Sequence, residues 1–488
     1  MFQVNNNYHQ EISNTSNETL DIDDNWVKKI WAWADEFELL DSEVPRDKEA
    51  LLAMKKLYIL EPELDEQHSR DAYRVGYIPD ELSNLINLTE IDISGIDASY
   101  LPQNIGQLTN LTKLSIRHSN LVALPDSIGQ LSNLTELFID ESKIKKLPDS
   151  IGQLTNLNRI FIGRCKLSVL PGSIGQLSNL RILDLIHCDL DELPDSIGQL
   201  TNLAKLFISY CPLKYLPASI GHLTNLTEFD LIHCELTYLP DSIGQLNNLH
   251  KLYINHCELR NLPDSIGQLT NLTELFISHC QLQQLPTNIG QLLNLNKLDL
   301  IHCEIKKLPE SVGQLANLAE LNLINCPLKY LPNSIGQLSN LTVLNLTHCE
   351  IEELPESIGQ LTNLTELFIS YGKLKHLPDN IGQLTGLTKI YINHGNIKDL
   401  TNSIGQLKNL TELFISHCDL KYLPDSIGQL TKLTKLDLIH CNLNNLPDSI
   451  LQLTNLDCIN LKGNPLNSLS PKILDYLHSI ETVYGLKL

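Results

Sequence analysis

Cysteine and histidine are the residue types in this chain that invite chemistry, and their spacing limits what that chemistry can be. Of twelve cysteines, eleven keep one phase of a 23-residue spacing: Cys165 through Cys349 without a gap, then Cys418 and Cys441. Histidine stands directly before that phase at 118, 187, 233, 256, 279, 302, 348, 394, 417 and 440. A thiol beside an imidazole suggests a nucleophile with its base, or half of a zinc site. Adjacent side chains at the end of a strand point to different sides, so one His-Cys pair neither chelates one ion nor passes a proton. The cysteines are read as an interior ladder of small hydrophobes with weak donors. The histidines are read as packing at a solvent edge. His233, His256, His279 and His302 should form a column with steps of about 5 Å, in which two neighbouring imidazoles could share a divalent ion. Metal binding is the lesser reading, and no metal or cofactor is assigned. Protonating neighbouring imidazoles together is costly, so this edge is expected to respond to pH at about 6 to 7.

A second row of residues carries recognition chemistry rather than reaction chemistry. The residue between the paired apolar positions of each unit is Phe138, Phe161, Asp184, Phe207, Asp230, Tyr253, Phe276, Asp299, Asn322, Asn345, Phe368, Tyr391, Phe414 and Asp437. Two residues later, Ser or Asn mostly follows an aromatic and Ile mostly follows Asp or Asn, as in Phe276 with Ser278 and Asp299 with Ile301. Each unit therefore shows solvent one large apolar and one polar group. A continuous wall of that kind is more apolar than an unpartnered surface needs to be. Rings with little side-chain entropy are what interface hot spots use, although they also pack on one another as a stacking ladder. The residues expected to touch a partner are Phe207, Tyr253, Phe276, Phe368, Tyr391 and Phe414, with Asp230, Asp299 and Asp437 as polar contacts and His256, His279 and His417 at the edge.

The elements that position these rows follow from the period. Leu-Pro recurs from Leu101-Pro102 to Leu446-Pro447 every 23 residues, with Leu400-Thr401 as the one break in the dipeptide. A fixed period of this length marks a stacked-repeat solenoid. In the unit beginning at Leu269, Leu275-Phe276-Ile277 alternates as a short strand, with Leu272, Leu275, Ile277, Leu282, Leu285 and Ile289 facing inward. Proline fixes the backbone where the chain turns away, Asp264 and Ser265 are expected to cap a short turn of helix, and Gly290 is expected to allow the tight return. About seventeen strands then lie in parallel, about 4.8 Å apart. The residue before the first strand leucine alternates in sign (Glu228, Lys251, Glu274, Lys297, Glu320), which sets opposite charges side by side and guards the register.

The pattern Leu-x-x-Leu-x-Leu-x-x-Cys-x-Leu resembles the leucine-rich repeat signature, with Cys in the position usually held by Asn. The Leu-Pro-x-x-Ile-Gly-x-Leu return resembles the 23-residue repeats of the Ras-group and plant intracellular leucine-rich repeat proteins, and a bacterial source is expected. The resemblance covers roughly residues 77–468. It implies an α/β repeat solenoid: a leucine-rich repeat horseshoe with a parallel β-sheet on the concave face, short helical or 3-10 turns on the convex face, and helical caps at both ends. For function it implies protein recognition.

The ends read differently. Residues 1–20 are polar and expected to be disordered. Residues 21–76 are expected to hold a cap with a degenerate first repeat at 46–60, 77–468 the solenoid and 469–488 a closing cap. An amphipathic helix over 24–40 is expected, capped by Asp23 or Asp24, with Trp26, Ile30, Trp33, Phe37 and Leu40 on one face. A helix with proline in its first turn is expected from Ser470 to Ile480. A formal net charge of −22 is a poor match for nucleic acid or an anionic membrane and favours a basic protein partner. No stretch is long and apolar enough for a membrane span, and no phosphate loop, nucleophile elbow or paired-cysteine module interrupts the repeats. The expectation is a non-enzymatic, cytoplasmic, monomeric protein-binding scaffold. Its alternatives are a histidine-lined metal-binding protein, or a bacterial effector exported without a cleaved signal peptide that sequesters a host protein.

Overall fold

The computed structural model describes residues 25–60 and 75–486, in two compact units, residues 1–190 and 191–488. The polar leader and the Asp23 or Asp24 cap lie outside the described residues.

In the first unit a helix, Asn25–Glu36, buries Val27, Ile30, Trp33 and Ala34. It ends earlier than the sequence suggests. Glu38 adopts φ of 52° and Leu39 N–H bonds back to Ala34 O at 2.8 Å, which reverses the chain. That reversal turns Leu39 inward and leaves Leu40 61% exposed, opposite to the expected face. Trp33 is anchored by its indole N–H to Tyr77 O at 2.7 Å, and Trp31 likewise to Pro45 O at 2.9 Å. A one-turn helix, Lys48–Leu52, is capped by Asp47, which accepts from Ala50 N–H at 2.8 Å. The strand Lys56–Ile59 follows and pairs in parallel with Glu90–Ile96. Among the described residues, this unit has six parallel strands, ending with Ile182–Ile186.

Among the described residues, the second unit has thirteen strands, from Lys205–Ser209 to Thr482–Tyr484. Neighbours are parallel and in register one repeat apart, as Glu274↔Lys297 and Phe276↔Asp299 show. Leu272, Leu275, Ile277, Leu282, Ile289 and Leu292 are fully buried. At about 1.5 to 3 kcal/mol for each buried aliphatic side chain, this interior is the main source of stability. The unit closes with the helix Pro471–Ser479, which Ser470 caps by accepting from Ile473 N–H. A last strand, Thr482–Tyr484, then pairs with Cys458–Asn460, beyond the closing helix that the sequence predicts.

Two features of the turn side differ from expectation. Each Asp-Ser pair lies inside the 3-10 turn, as in Asp264–Gln268, with the preceding proline at the cap position and no side-chain cap bond. Thr401, which replaces that proline, does cap, accepting from Ser403 N–H at 3.5 Å. Proline has already fixed the backbone there, so a cap matters only where it is missing. Gly290 serves close approach rather than an unusual φ. A Cβ at the equivalent Gly244 would stand 2.5 Å from Ser265 O of the next turn. Leu451 holds this position in the last 3-10 turn, after which the chain passes to the closing helix.

Two side-chain ladders stitch the repeats. Asn271 Nδ2 donates to Asn247 O at 2.8 Å and Asn294 Nδ2 to Thr270 O at 2.9 Å, and the first unit has the same bond, as from Asn133 Nδ2 to Thr109 O at 2.9 Å. Thiols make the second ladder: Cys257 Sγ donates to Leu231 O at 3.4 Å and Cys326 Sγ to Leu300 O at 3.1 Å.

Candidate binding surface

From His118 to His440, one residue in each repeat, at or just beyond the end of the strand, has a left-handed backbone. His233, His256, His279 and His302 have φ of 52° to 53°, as do His394 and His417. Histidine and asparagine tolerate this region better than most side chains. The row is thus selected in part by the bend that releases the chain from the sheet, a cause the spacing alone did not reveal. The same bend throws each ring outward at the sheet edge.

There the rings stack. In the second unit Tyr210, His233, His256, His279 and His302 form one run with centroid separations of 4.3, 4.0, 4.1 and 4.3 Å. His348, Tyr371, His394, His417 and His440 form another, at 4.2, 4.5, 4.1 and 4.9 Å. Asn325 separates the runs, and its amide meets His302 Nδ1 at 2.5 Å. Tyr210 and Tyr371 belong to the column although a search for histidine passes over them; the signal was a planar ring in the same phase. Imidazole lone pairs lie in the ring plane, and near-parallel planes share no point where two neighbours could hold one ion. Among the described residues, no group of three or more His, Cys, Asp or Glu is placed to hold a metal. His279 and His417 are pushed below the ordinary histidine value, first by burial and then by the flanking imidazoles.

The sheet row is discontinuous. Tyr253 lies flat on Phe276, with centroids 4.7 Å apart at 11°. Phe368, Tyr391 and Phe414 form a second stack, at 4.8 and 4.7 Å. Each tyrosine hydroxyl donates to the glutamate of the next strand, Tyr253 to Glu274 at 2.9 Å and Tyr391 to Glu412 at 3.1 Å. Phe207 stands apart with Lys205 over its ring at 5.9 Å. Asp299, Asn322 and Asn345 separate the two stacks, so the aromatics of this row stand as two patches with polar side chains between them.

Asp299 is not the solvated contact that its row suggests. It is 6% exposed, accepts from Asn322 Nδ2 at 2.6 Å and has Lys297 Nζ at 3.9 Å. Burial raises its carboxyl above the usual range, and Asp437 shifts the same way for the same reason. Asp230 keeps a half-buried place in the row. The alternating charges resolve into separate pairs: Lys205–Glu228 at 2.6 Å, Lys251–Glu274 at 3.1 Å, Lys297–Glu320 at 2.8 Å, Lys389–Glu366 at 3.1 Å and Lys435–Glu412 at 3.2 Å. Being exposed, each contributes about 0 to 1 kcal/mol, which favours a role in register.

The thiol row lies inside this surface. The eleven ladder cysteines are free and buried, and burial raises Cys234, Cys349 and Cys441 to about 12, out of reach of nucleophilic chemistry.

Comparison with known proteins agrees with this geometry. A family model described as leucine-rich repeat region matches residues 74–169, 160–237 and 320–422, and a leucine rich repeat model matches 271–292. No curated protein matches the chain. Among solved structures, a leucine-rich repeat protein of Leptospira interrogans is 31% identical, with a TM-score of 0.64 over 90% of this chain and 98% of its own. A plant peptide hormone receptor, RGFR1 in complex with RGF2, is 26% identical, with a TM-score of 0.61 over 84% of this chain and 72% of its own. The functional domain of InlJ from Listeria monocytogenes, described as including a cysteine ladder, is 22% identical, with a TM-score of 0.57 over 79% of this chain and 76% of its own.

Proposed function

The chain belongs to the leucine-rich repeat family, and from that premise we propose that it is a protein-binding scaffold whose docking surface is the outward sheet face from Phe207 to Asp437, bordered by the ring column. The observation that carries this reading is the pair of preformed aromatic stacks, Tyr253/Phe276 and Phe368/Tyr391/Phe414, half-buried on that face. Stacking and the tyrosine–glutamate bonds hold these rings before a partner arrives, so little side-chain entropy is lost on docking. The same row carries Asn322 and Asn345 on strands with the same register, so the fold itself does not demand aromatics there. The hormone receptor in complex with RGF2 supports the class of function, as a related fold that holds a ligand. We assign this chain no reaction, metal or cofactor. No helix among the described residues is long and apolar enough to cross a membrane.

The test is capture of partners from native lysate, comparing the wild type with Phe276→Asn/Phe414→Asn. Asparagine is what the row already tolerates, and circular dichroism checks the fold. A protein held by the wild type and lost with the variant is the expected result. A partner retained equally by both would move the docking surface elsewhere.

A further inference from the structure

The segments 251–302 and 389–440 repeat one another at a distance of 138 residues, and the repetition extends to three-dimensional detail. Their strands read Lys-Leu-Tyr-Ile-Asn-His and Lys-Ile-Tyr-Ile-Asn-His, then Glu-Leu-Phe-Ile-Ser-His twice, then Lys-Leu-Asp-Leu-Ile-His twice. Tyr253 stacks on Phe276 at 4.7 Å, and Tyr391 on Phe414 at 4.7 Å. Ser278 Oγ donates to Asn255 Oδ1 at 2.8 Å, and Ser416 Oγ to Asn393 Oδ1 at 2.9 Å. The edge pairs His256/His279 and His394/His417 both stack at 4.1 Å. Beside each phenylalanine, on the next strand, stands a carboxylate that burial raises above its usual range: Asp299 beside Phe276 and Asp437 beside Phe414.

We propose that these are two copies of one subsite, each taking an arginine or lysine side chain together with its apolar neighbour from a basic segment of a partner protein, so that one chain grips two such segments. The inference rests on the docking reading above and names the chemistry of the partner. An aromatic ring next to a desolvated carboxylate suits a cation, which gains from both. The chain's own ammonium marks the place: Lys297 Nζ, paired with Glu320 at 2.8 Å, lies 5.3 Å from the Phe276 centroid and 3.9 Å from Asp299 Oδ2, so in the first copy the partner's cation takes the position that Lys297 holds and leaves that lysine to Glu320. The net charge of −22 draws basic partners to the surface. Six strand spacings put the subsites about 29 Å apart along the sheet. Asn322 and Asn345 occupy the row between them, so they act as separate patches. The second copy is the more apolar, because Phe368 extends its stack at 4.8 Å where the first has Asp230.

The probes are acetyl-Gly-Leu-Arg-Leu-Gly-amide, its glutamine analogue, and two-motif peptides joined by a Gly/Ser linker of about 25 residues or, in the short form, fused directly; the long linker spans about 29 Å, whereas the two arginines of the short form stand at most about 18 Å apart. Titration calorimetry on the full chain should show two single-motif peptides per chain. Phe276→Asn should leave the tighter site, and Phe414→Asn the weaker one. The glutamine analogue should bind at least about ten-fold more weakly, and Asp299→Asn should lose the same discrimination at one site only. The long two-motif peptide should bind one to one and at least about ten-fold tighter than the single motif, while the short one gains nothing. A single class of one site, or no gain from the long linker, overturns the twin arrangement. Equal binding of the glutamine analogue, or no binding of the arginine peptide, overturns the cation. Either failure leaves the docking surface standing if the lysate partner is still lost with Phe276→Asn/Phe414→Asn, and retention of that partner would defeat the docking reading whatever the peptides do.

Discussion

Cys441 gives its backbone N–H to the Oδ1 of Asn464 at 3.0 Å, and the same oxygen takes the N–H of Leu443 at 3.0 Å. Asn464 sits in the ladder phase one repeat beyond Cys441, and its Nδ2 donates to Leu438 O at 2.6 Å, where the Cys441 thiol makes the matching bond to Ile415 O at 3.0 Å. An amide therefore both donates and accepts, whereas a thiol donates weakly. Asn464→Ala should cost about 2 to 4 kcal/mol, because it strands two part-buried N–H groups, and Cys303→Ala about 1 kcal/mol. Urea unfolding of the two variants compares them directly.

Thiol reactivity should separate one cysteine from the other eleven. The ladder thiols are at most 4% exposed, whereas Cys458 lies outside the ladder on the strand Cys458–Asn460 and is partly exposed. Burial raises Cys458 too, but less of it is covered. A disulfide reagent at about pH 8 should label one thiol per native chain quickly and the rest only on unfolding. Rapid labelling of several thiols would mean that the ladder opens readily.

The stacked histidines set a pH dependence with a definite sign. His279 lies between His256 and His302, and His417 between His394 and His440, and both hold their protons less tightly than an unfolded histidine. Nearby Asp437 works the other way on His417, without reversing it. Unfolding then takes up protons, so stability is full above about pH 6.5 and declines as pH falls towards the lower folded values. Tyrosine already occupies this row at 210 and 371, so His279→Tyr should keep the stack and flatten the fall in urea midpoint between about pH 7.5 and 5.5. A variant that loses as much stability as the wild type over that interval would place the titration elsewhere.

How far the sequence reveals this molecule depends on whether a property belongs to one repeat or to its neighbours. Leu275, Ile277 and Ile289 read as core from the period alone, because every repeat makes the same demand and burial follows. The register also follows, since opposite charges such as Lys251 and Glu274 meet at 3.1 Å. Asp299 looks solvated in its own strand and is covered only by what stands on the strands beside it. The glutamate bond that orients Tyr253 crosses a strand, and the positive φ under the histidine column is a property of a bend that no side-chain pattern displays. The exposure of Leu40 follows from a backbone reversal at Glu38 that hydrophobic periodicity cannot foresee.

The solenoid should be softest where the thiol ladder is missing. Gly372 and Gly395 take the ladder phase in consecutive repeats, so no thiol is available for Leu346 O or Ile369 O, the carbonyls that stand 26 residues earlier. The second of these repeats also has Thr401 in place of proline, which leaves the turn to a side-chain cap. Amides in residues 370–402 should therefore exchange faster than those in 230–350, where Cys234 to Cys349 run without a gap. The space for a repair exists. A Cβ at Gly395 would meet Ile392 Cγ2 at 3.4 Å and Cys418 Sγ at 3.6 Å, and one at Gly372 would meet Cys349 O at 3.4 Å, all ordinary contacts. Neither glycine has a positive φ, so a side chain strains nothing. Gly372→Cys/Gly395→Cys should add about 1 to 2 kcal/mol, from lost unfolded-state freedom and the restored donors, and should slow exchange across 370–402. If exchange there is already as slow as in 230–350 in the wild type, the thiol ladder contributes little to local stability, and the leucine interior alone sets it.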